Sequence, residues 1–445
     1  MYRQEDFDKI TSNLSRIYAD ADKVYKDKYE VPTKKEYDNV VNDIKNFIKN
    51  KGLIIYGGWA QNELIGKKNK DDEFYPETSR HDIEIYSTNP IKHVMELGDL
   101  LYSKKYNPIY IEEGVHNETY KLFVNFVNIA DISYMDPHIF NNCPHITVDG
   151  LKLTHPHLMI VDAYRVYADP MTSYFRLEKA FKRSSTLMKY YPFDSKAEYN
   201  KLSYQKTPEN DMLLRFIRKH IIMDSKLIVI GHYAYNYLVK KLDDKHSIDF
   251  NYIQLVSTDF KKDFEKVNKI LKDKFGKKIY YKKYYPFFQF YDERVEFSYN
   301  NKVILKLYGN NNRCIVHRYS DKKKTYFGTF LLTMLYLLVD YNFAIINKDK
   351  SEEMNYLALI VRLYNIRNKY LDSKNVSILD DTPFKEFTLK CTGTPVDPIR
   401  SSRLKQAEKR KTGKRSKFSY TPTGKSANVP NFKFDISSGK EITKR

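Results

Sequence analysis

The sequence predicts a mixed α/β fold of the α+β kind, in which one structural unit occurs twice. Three observations support this prediction. The apolar run 53–56 (LIIY) has the composition of a buried strand, and a glycine pair and a stretch with helical spacing follow it. Residues 82–86 alternate acidic and apolar side chains, as a strand with one wet face does. Weaker copies of both patterns stand at 227–239 and 252–258, so the unit is expected to be duplicated.

The glycine pair between the first strand and its helix is typical of a phosphate-binding turn. Gly57 and Gly58 let the backbone approach a phosphate closely, and the following helix start offers free N–H groups. Asn62 lies in the same helix. We therefore take Gly57, Gly58 and Asn62 as candidate nucleotide-binding residues. Glycine pairs also occur in ordinary turns, so this signal alone is weak.

Three acidic residues are the candidate catalytic residues and metal ligands. Asp82 and Glu84 alternate with apolar residues and so project from one face of a strand, where they repel each other unless a cation lies between them. Asp131 lies in the apolar run 128–134, which is expected to form a neighbouring strand. Together the three carboxylates would hold two Mg²⁺ ions around a triphosphate. The alternative interpretation is a solvated strand face with no ion.

The second copy keeps the residues that shape the unit and lacks the acids. It retains a glycine and an asparagine of the first copy as Gly231 and Asn236. Tyr252 and Gln254 replace the paired acids, and Cys314 or a neighbour is expected near the position of the third. We expect this copy to fold like the first and to bind no metals in the same way. Chance similarity is the alternative.

Positive charge is concentrated in two places along the chain. The formal net charge is +20, which favours polyanionic partners, and the 39 Tyr and 26 Phe residues suit stacking on single-stranded bases. Helical spacing over 173–189 places Lys179 and Arg183 on one face with Arg176. This face is expected to bind a triphosphate or RNA phosphates, or it is simply solvated. We take Lys179 and Arg183 as further candidate nucleotide-binding residues.

The C-terminal stretch 401–445 has thirteen Lys and Arg residues against three acids, which predicts a flexible basic tail. It would hold RNA non-specifically, or serve solubility or targeting. The three cysteines, Cys143, Cys314 and Cys391, indicate neither a metal site nor a disulfide framework, and a reducing compartment is expected. The charged N-terminus shows no signal peptide, and the apolar run 330–339 is too short to cross a membrane and predicts a buried helix.

Four segments together resemble a known enzyme family. The segments YGGWAQNEL, RHDIEIYST, NIADISYMD and ADPMTSYFRLEKAFKR are similar to the catalytic subunit of poly(A) polymerases of giant amoeba viruses of the Mimiviridae type. That family is related to the poxvirus poly(A) polymerase catalytic subunit and belongs to the DNA polymerase β-like nucleotidyltransferase superfamily. The resemblance covers about residues 50–345. It implies a duplicated nucleotidyltransferase fold with a degenerate second nucleotidyltransferase-like domain.

The resemblance also implies an activity and partners. The enzyme would be a polynucleotide adenylyltransferase that adds AMP from ATP to RNA 3′ ends without a template, for viral mRNA polyadenylation. Asp82, Glu84 and Asp131 would be catalytic and would bind two Mg²⁺ or Mn²⁺ ions, with Gly57 and Gly58 at the triphosphate. Glu84 stands where many relatives have Asp. The family further implies a homodimer, located in the virion and in the viral factory of the host cytoplasm, with no membrane contact.

Two other functions are compatible with the same residues. A different RNA terminal nucleotidyltransferase, which adds uridylate or CCA, would need the same three acids. A non-catalytic RNA-binding protein would need only the basic surface, and the acids would then be surplus. The expected domains are an N-terminal helical segment whose helices pack on the catalytic sheet (1–50), the catalytic domain with its basic helices (51–210), the degenerate domain (211–345), C-terminal helices (346–390) and the basic flexible tail (391–445).

Overall fold

The structure is a computed structural model that describes residues 2–28, 33–75, 80–116, 118–199, 207–242, 245–287, 290–311, 313–397, 400, 403–404, 407, 411, 418–424 and 442–444. Its helices are α1 Gln4–Lys28, α2 Lys34–Lys51, α3 Gly57–Gly66, α4 Pro90–Ser103, α5 Pro137–Asn141, α6 Pro156–Tyr167, α7 Pro170–Ser173, α8 Leu177–Tyr190, α9 Pro208–Ile217, α10 Gly231–Val239, α11 Phe260–Phe275, α12 Phe330–Ile346 and α13 Lys350–Lys374. Its strands are β1 Ile54–Tyr56, β2 Ile83–Ser87, β3 Ile109–Glu113, β4 Thr119–Val124, β5 Val127–Tyr134, β6 His145–Val148, β7 Leu151–Thr154, β8 Ile228–Ile230, β9 Ile253–Ser257, β10 Ile279–Tyr284, β11 Glu293–Tyr299, β12 Lys302–Gly309, β13 Ile315–Ser320, β14 Thr325–Gly328, β15 Cys391–Thr392, β16 Ser419–Tyr420 and β17 Ile442–Lys444.

The described residues form two compact units, each with one mixed sheet. The first unit draws its described residues from 1–134, 145–153 and 406–432, and the second from 135–144, 154–405 and 433–445. The strand order of the first sheet is β16-β3-β4-β5-β2-β1-β7-β6. The strand order of the second sheet is β15-β13-β14-β8-β9-β12-β11-β10-β17. Strand for strand, the second order repeats the first and adds β15 at one end.

The two sheets also share their register, which confirms the duplicated fold. Tyr56 lies opposite Glu84 in the antiparallel pair β1–β2, and Ile230 lies opposite Gln254 in β8–β9. The next strand is parallel in both sheets. In the first sheet it places Asp131 opposite Glu84, and in the second it places Lys306 opposite Gln254.

One position of the repeat differs from the sequence prediction. The residue in place of the third acid is Lys306 on β12, whereas Cys314 precedes β13, the counterpart of β6. The loops between the paired strands differ in length in the two copies. Counting along the chain therefore does not identify the partner, and only the strand register does.

The first sheet is held by helices on the face opposite its acids. Ile83 and Ile85 of β2 are fully buried on that side, where α4 packs against β2, β3, β4 and β5. Helix α2 buries six apolar side chains and packs against α4. It begins with a capping box, in which Thr33 and Glu36 each accept a hydrogen bond from the other's backbone N–H. This helix behaves as the sequence predicts.

Helix α1 does not behave as predicted. The sequence predicts that its apolar residues pack on the catalytic sheet, but the described side chains of α1 are exposed or half-exposed. Leu14, for example, is 52% exposed and Ile17 is 49% exposed. The apolar stripe is real, yet nothing in the described part of the chain covers it.

The apolar run at 330–339 is a buried helix, as predicted. It forms the first part of α12, which packs against α6, α10 and α13. Fifteen of the seventeen residues of α12 are buried, so it is surrounded by protein on all sides. Among the described residues there is no helix with the length and apolar character needed to span a membrane.

The cysteine prediction is wrong for one pair. Cys314 and Cys391 form a disulfide, whereas Cys143 is buried and is not disulfide-bonded. The two bonded residues are 77 apart in sequence. They meet because β15 pairs antiparallel with β13, which places Cys391 opposite Val316. Sequence spacing carries no information about such a long-range pairing.

The basic C-terminal stretch contains two short strands. Ser419 pairs with Glu112, which adds β16 to the first sheet beside β3, and β17 pairs antiparallel with β10 of the second sheet. Phe418 is buried, and the Tyr420 hydroxyl donates to Asp99 Oδ1 over 2.6 Å. The chain around 418–420 is thus ordered by its aromatic residues, where a flexible tail is predicted. Residues 425–441 lie outside the described residues.

Candidate active site

The glycine turn is shaped by one acidic side chain. Strand β1 ends at Tyr56 and α3 begins at Gly57, whose φ of +71° favours glycine. A Cβ atom at Gly57 would lie 1.7 Å from Oε2 of Glu84, so no other residue fits there unless that carboxylate moves. The backbone N–H of Gly58 donates to the same oxygen over 2.6 Å. The start of α3 therefore binds a carboxylate, as a helix N-terminus binds anions in general.

The three predicted acids lie on one face of the first sheet. Glu84 and Asp131 are direct neighbours in the parallel pair β2–β5. Asp82 lies two residues before Glu84 and therefore projects to the same side. Across the next strand, Lys121 lies opposite Asp131. The row Tyr56–Glu84–Asp131–Lys121, which we call the charged row, runs across four strands.

Two residues that sequence reasoning did not single out fix the acids. The Lys121 Nζ donates to both oxygens of Asp131, at 2.7 Å to Oδ2 and 2.9 Å to Oδ1. The Asn128 amide nitrogen donates to Asp131 Oδ1 over 2.9 Å and to Asp82 Oδ2 over 3.1 Å. Because a single nitrogen binds both, the carboxylates of Asp82 and Asp131 lie close together. The side chains of Lys121 and Asp131 are 28% and 14% exposed, so this ion pair is partly screened from water.

A buried polar layer lies beside the charged row. The hydroxyls of Tyr56 and Ser133 are 2.8 Å apart, and Ser133 is also 2.8 Å from the hydroxyl of Thr119. The ring of Tyr56 stacks on Tyr86 with centroids 3.8 Å apart. All four side chains are buried. Hydrogen bonds join the hydroxyls of this layer to one another, and the layer supports the strands that contain the acids.

The backbone that leads to Asp82 is anchored by α2. The Tyr37 hydroxyl donates to the carbonyl of His81 over 2.7 Å and accepts from the His81 N–H over 2.8 Å. Burial raises the pKa of Tyr37, and the hydroxyl stays protonated as this double contact requires. The residue before the first acid is therefore held on both of its backbone groups.

The predicted nucleotide-binding residues belong to both units. Asn62 is buried in α3, where its Oδ1 accepts the N–H groups of Phe74 and Tyr75 over 2.9 and 3.0 Å. Its counterpart Asn236 accepts the N–H of Ile248 through Oδ1 and donates its amide nitrogen to the carbonyl of the same residue. Lys179 and Arg183 lie on α8 of the second unit, whereas the acids and the glycine pair lie in the first. Their roles in binding a nucleotide stay predictions.

The charged row of the second unit has its signs reversed. Lys306 replaces the third acid, and Glu296 lies opposite it where the first unit has Lys121. Gln254 donates to Asp340 Oδ2 over 2.6 Å, and Lys306 Nζ is 3.5 Å from Asp340 Oδ1. Asp340 comes from α12, so this helix covers the row. A site built this way contains its own cation and offers no open carboxylates.

The buried charges of this second row compensate one another. Glu296 forms an ion pair with Arg294 and is 4.0 Å from Lys306 Nζ. Burial alone would raise the pKa of Glu296, but Arg294 and Lys306 outweigh it and lower that pKa to about 2. The carboxylate is therefore ionised at any pH at which the protein is handled. The charges of the row are thus paired within the protein, as in a structural ion network.

The acids of the first unit suit a divalent ion by their chemistry. Oxygen donors are what Mg²⁺ and Mn²⁺ prefer, and one amide already draws Asp82 and Asp131 together. As the side chains stand, the described residues contain no group of three or more His, Cys, Asp or Glu side chains placed to hold an ion. The reason is visible in the contacts, because Glu84 turns to Gly58 and Asp131 to Lys121. Asp82, Glu84 and Asp131 are the residues that would hold such an ion.

Comparisons with known proteins show which family the chain resembles. The family model "Poly(A) polymerase catalytic subunit" matches residues 42–173, and a model for the C-terminal part of the APMV poly(A) polymerase catalytic subunit matches residues 185–445. A protein of Acanthamoeba polyphaga mimivirus described as "Putative poly(A) polymerase catalytic subunit" is 30% identical over 95% of this chain and 78% of its own length. A protein of African swine fever virus with the same description is 31% identical over 35% of this chain and 34% of its own length.

A solved structure is also similar. The crystal structure of the Megavirus polyadenylate synthase superposes with a TM-score of 0.87 at 30% identity, over 100% of this chain and 93% of that one. The match spans both units and therefore includes the sign-reversed row as well as the acids. With the two family models, which between them take in nearly the whole sequence, it settles the classification. The chain belongs to the family of viral poly(A) polymerase catalytic subunits.

Proposed function

We propose that this poly(A) polymerase adds AMP from ATP to RNA 3′ ends without a template, at the acids of the first unit. The observation that supports this most is the placement of Asp82, Glu84 and Asp131 on one sheet face beside the Gly57 turn, with Asn128 joining two of them. Paired acids next to a helix start are suited to a triphosphate and to the ions that accompany it. The second unit lacks these acids and is proposed to do no chemistry.

Each residue has a proposed part in the reaction. Two divalent ions, Mg²⁺ or Mn²⁺, bound by the three acids would supply charge neutralisation and activation of the RNA 3′-hydroxyl. Asp131 accepts the proton of the RNA 3′-hydroxyl while the hydroxyl oxygen attacks the α-phosphorus of ATP. The bond between the α-phosphorus and the oxygen that bridges to the β-phosphorus breaks, and pyrophosphate leaves. The glycine turn at Gly57 and Gly58 orients the triphosphate once Glu84 has released the Gly58 N–H, and Asn128 holds Asp82 and Asp131 in position.

The wider setting is proposed from the family. The acceptor is the 3′ end of viral mRNA, and Lys179 and Arg183 bind phosphates of ATP or RNA. The enzyme is a homodimer that works in the virion and in the viral factory of the host cytoplasm. The net charge of +20 agrees with a polyanionic acceptor.

One assay tests the central proposal. A short labelled RNA is extended with each of the four nucleoside triphosphates separately, with Mg²⁺ or Mn²⁺, and ATP is expected to give long products. Asp82→Ala, Glu84→Ala and Asp131→Ala should each lower extension by at least about 100-fold, because each removes charge stabilisation made in the transition state. RNA binding, measured separately, should persist in all three.

The second unit provides the matched control. Gln254→Ala changes the residue that corresponds to Glu84, and extension at a temperature where the variant is folded should stay within a few-fold of normal. Preferred extension with UTP, or with CTP followed by ATP, would point to a uridylyl- or CCA-adding enzyme instead. Substantial activity in Asp82→Ala would exclude the acids as the reaction centre.

A further inference from the structure

Helix α1 presents a continuous apolar stripe to solvent. Six of its residues recur at alternating steps of three and four, and all six are exposed. These residues, which we call the α1 stripe, are Phe7, Ile10, Leu14, Ile17, Ala21 and Val24. The side chains other than Ala21 are 37–55% exposed. No described residue covers this stripe, and monomeric proteins rarely leave one uncovered, so it marks an interaction surface.

The spacing identifies the kind of partner surface. Steps of three and four that alternate over almost three heptads place Phe7, Leu14 and Ala21 at one core position of a coiled coil, and the other three residues at the second. Tyr18 and Tyr25, which are 73% and 56% exposed, lie beside this seam on one side. A seam of this spacing fits one further helix.

The charges of α1 argue against RNA and against an anionic membrane surface as its partner. The chain as a whole is strongly basic, but α1 has six acidic and five basic residues. A helix that binds RNA or an anionic membrane surface needs an excess of Lys and Arg on its polar face. A nearly neutral helix with an apolar seam fits a second helix of the same composition, because each copy supplies both charges.

We propose that α1 pairs with α1 of a second copy of this chain as an antiparallel two-helix coiled coil. The antiparallel arrangement places larger residues against smaller ones, with Phe7 opposite Val24, Ile10 opposite Ala21 and Leu14 opposite Ile17 of the partner copy. Such layers fill the seam evenly. It also places Asn13 beside Asp20 of the partner copy, where an amide can donate to a carboxylate.

The parallel arrangement is less favourable for two helices. It would stack Phe7 on Phe7 and Ala21 on Ala21, which crowds one layer and leaves a void in another. In parallel coiled coils, Leu at the first core position and Ile at the second also favour four strands over two. The sequence has this combination at Leu14 and Ile17. A twofold dimer through α1 is therefore antiparallel.

This inference rests on the homodimer proposed above and assigns it a surface. The test is the oligomeric state of the full chain by sedimentation over a range of concentrations. Wild type should be dimeric at micromolar concentration, and Leu14→Asp should raise the dimer dissociation constant at least about tenfold by burying a charge in the seam. Ser12→Asp, which adds the same charge on the outer face of α1, should leave dimerisation unchanged. Since α1 is exposed, neither variant should alter the melting temperature of the monomer.

Cysteine variants test the orientation. Ile10→Cys and Ala21→Cys should each give little disulfide dimer alone under mild oxidation, but should cross-link to each other when mixed. Cross-linking of Ile10→Cys with itself would show a parallel pair and overturn the antiparallel arrangement. A wild-type monomer, or a Leu14→Asp dimer of unchanged affinity, would overturn the pairing of α1 itself. RNA extension by a monomeric Leu14→Asp variant would leave the proposed reaction intact, so the two proposals fail separately.

Discussion

Lys121 donates both of its hydrogen bonds in the charged row to Asp131, the residue that we propose as proton acceptor for the RNA 3′-hydroxyl. The lysine thus supplies, within the chain, one positive charge at a cluster of three acids. A protein without bound ions needs such a counter-ion, because adjacent carboxylates repel each other. An incoming divalent ion then has to compete with the ammonium group for Asp131.

Replacement of Lys121 should therefore lower the stability of the protein and raise its affinity for a metal ion. Lys121→Met is expected to lower the stability of the ion-free protein by about 1 kcal/mol, since it leaves Asp131 partly buried and unneutralised. It should also tighten Mn²⁺ binding by roughly tenfold, because the repulsion between ammonium and ion is gone. Calorimetric titration with Mn²⁺ and melting curves with and without the ion measure both effects.

The control for this change is another ion pair of the first unit. Lys104 pairs with Asp43 far along the chain from the acids, and that aspartate is similarly shielded, at 15% exposed. Lys104→Met should lower stability comparably but leave Mn²⁺ binding as in wild type. Equal Mn²⁺ affinity in Lys121→Met and wild type would contradict the competition between lysine and ion.

Two glycines make a matched pair for separating folding from chemistry. A Cβ at Gly57 would lie 1.7 Å from Glu84 Oε2, and one at Gly231 would lie 1.8 Å from Gln254 Oε1, with positive φ at both. Gly57→Ala and Gly231→Ala should each cost about 1–3 kcal/mol of stability. Only Gly57→Ala should also reduce RNA extension, by about 100-fold, because it displaces a catalytic carboxylate.

Extension rates at a temperature well below both melting points distinguish the two glycines. Gly231→Ala should keep extension within a few-fold of wild type. A comparable decrease in both variants would mean that the second unit contributes to the reaction.

The buried histidines predict how stability depends on pH. His232 is buried against Tyr356, and burial lowers its pKa to about 4, while in the unfolded chain the pKa is near 6.5. Between pH 6.5 and pH 4 the unfolded chain binds a proton that the native protein does not, so stability falls as the pH is lowered. At pH 5.5 this residue is expected to reduce stability by about 1 kcal/mol.

Urea unfolding at pH 7.5 and pH 5.5 checks this prediction. His232→Phe should lose part of the pH dependence, and the exposed His138→Phe should keep all of it. Burial also lowers the pKa of His155 and His317 to about 4, so a smaller dependence should remain in His232→Phe. An identical pH dependence in His232→Phe and wild type would show that His232 is not buried in its neutral form.

The basic tail is expected to bind RNA phosphates. Eight Lys and Arg residues lie between 403 and 417, before the ordered Phe418. Their replacement by Gln should weaken RNA binding and make its salt dependence shallower, by about 0.7 in the logarithmic slope for each phosphate that the tail no longer neutralises. Fluorescence anisotropy at several salt concentrations measures the slope. If the slope does not change, the tail serves solubility or targeting instead.

Local patterns along the chain predicted where the three acids and the glycine turn lie, because each of these parts occupies a short stretch of sequence. The strand, glycine turn and helix at 53–66 and the alternation at 82–86 each occupy a few consecutive residues. The parallel neighbour that contains Asp131 could also be predicted, since an apolar run with one acid has few other places in such a sheet. The duplication was visible for the same reason.

Lys121 could not be predicted, because its position depends on an irregular pairing. The β4–β5 hairpin turns at Asn125 and Phe126, both with positive φ, and Val124 lies opposite Val127. A regular ladder from this turn would place Tyr120 opposite Asp131. The register shift between Leu122 and Phe123 moves Lys121 there instead. No local pattern in the sequence predicts this bulge. The Cys314–Cys391 disulfide was not predicted either, because it depends on the long-range pairing of β13 with β15.

The C-terminal strands β16 and β17 are expected to protect this protein from aggregation. Without β16 and β17, β3 and β10 would be the outermost strands of their sheets, with a row of unpaired backbone N–H and C=O groups. Such open edges recruit strands from other molecules and lead to aggregation. Strand β16 therefore covers this edge of the first sheet, and β17 covers the corresponding edge of the second sheet. A chain that is cut before Phe418 loses both edge strands at once, so proteolysis of the tail is expected to promote aggregation.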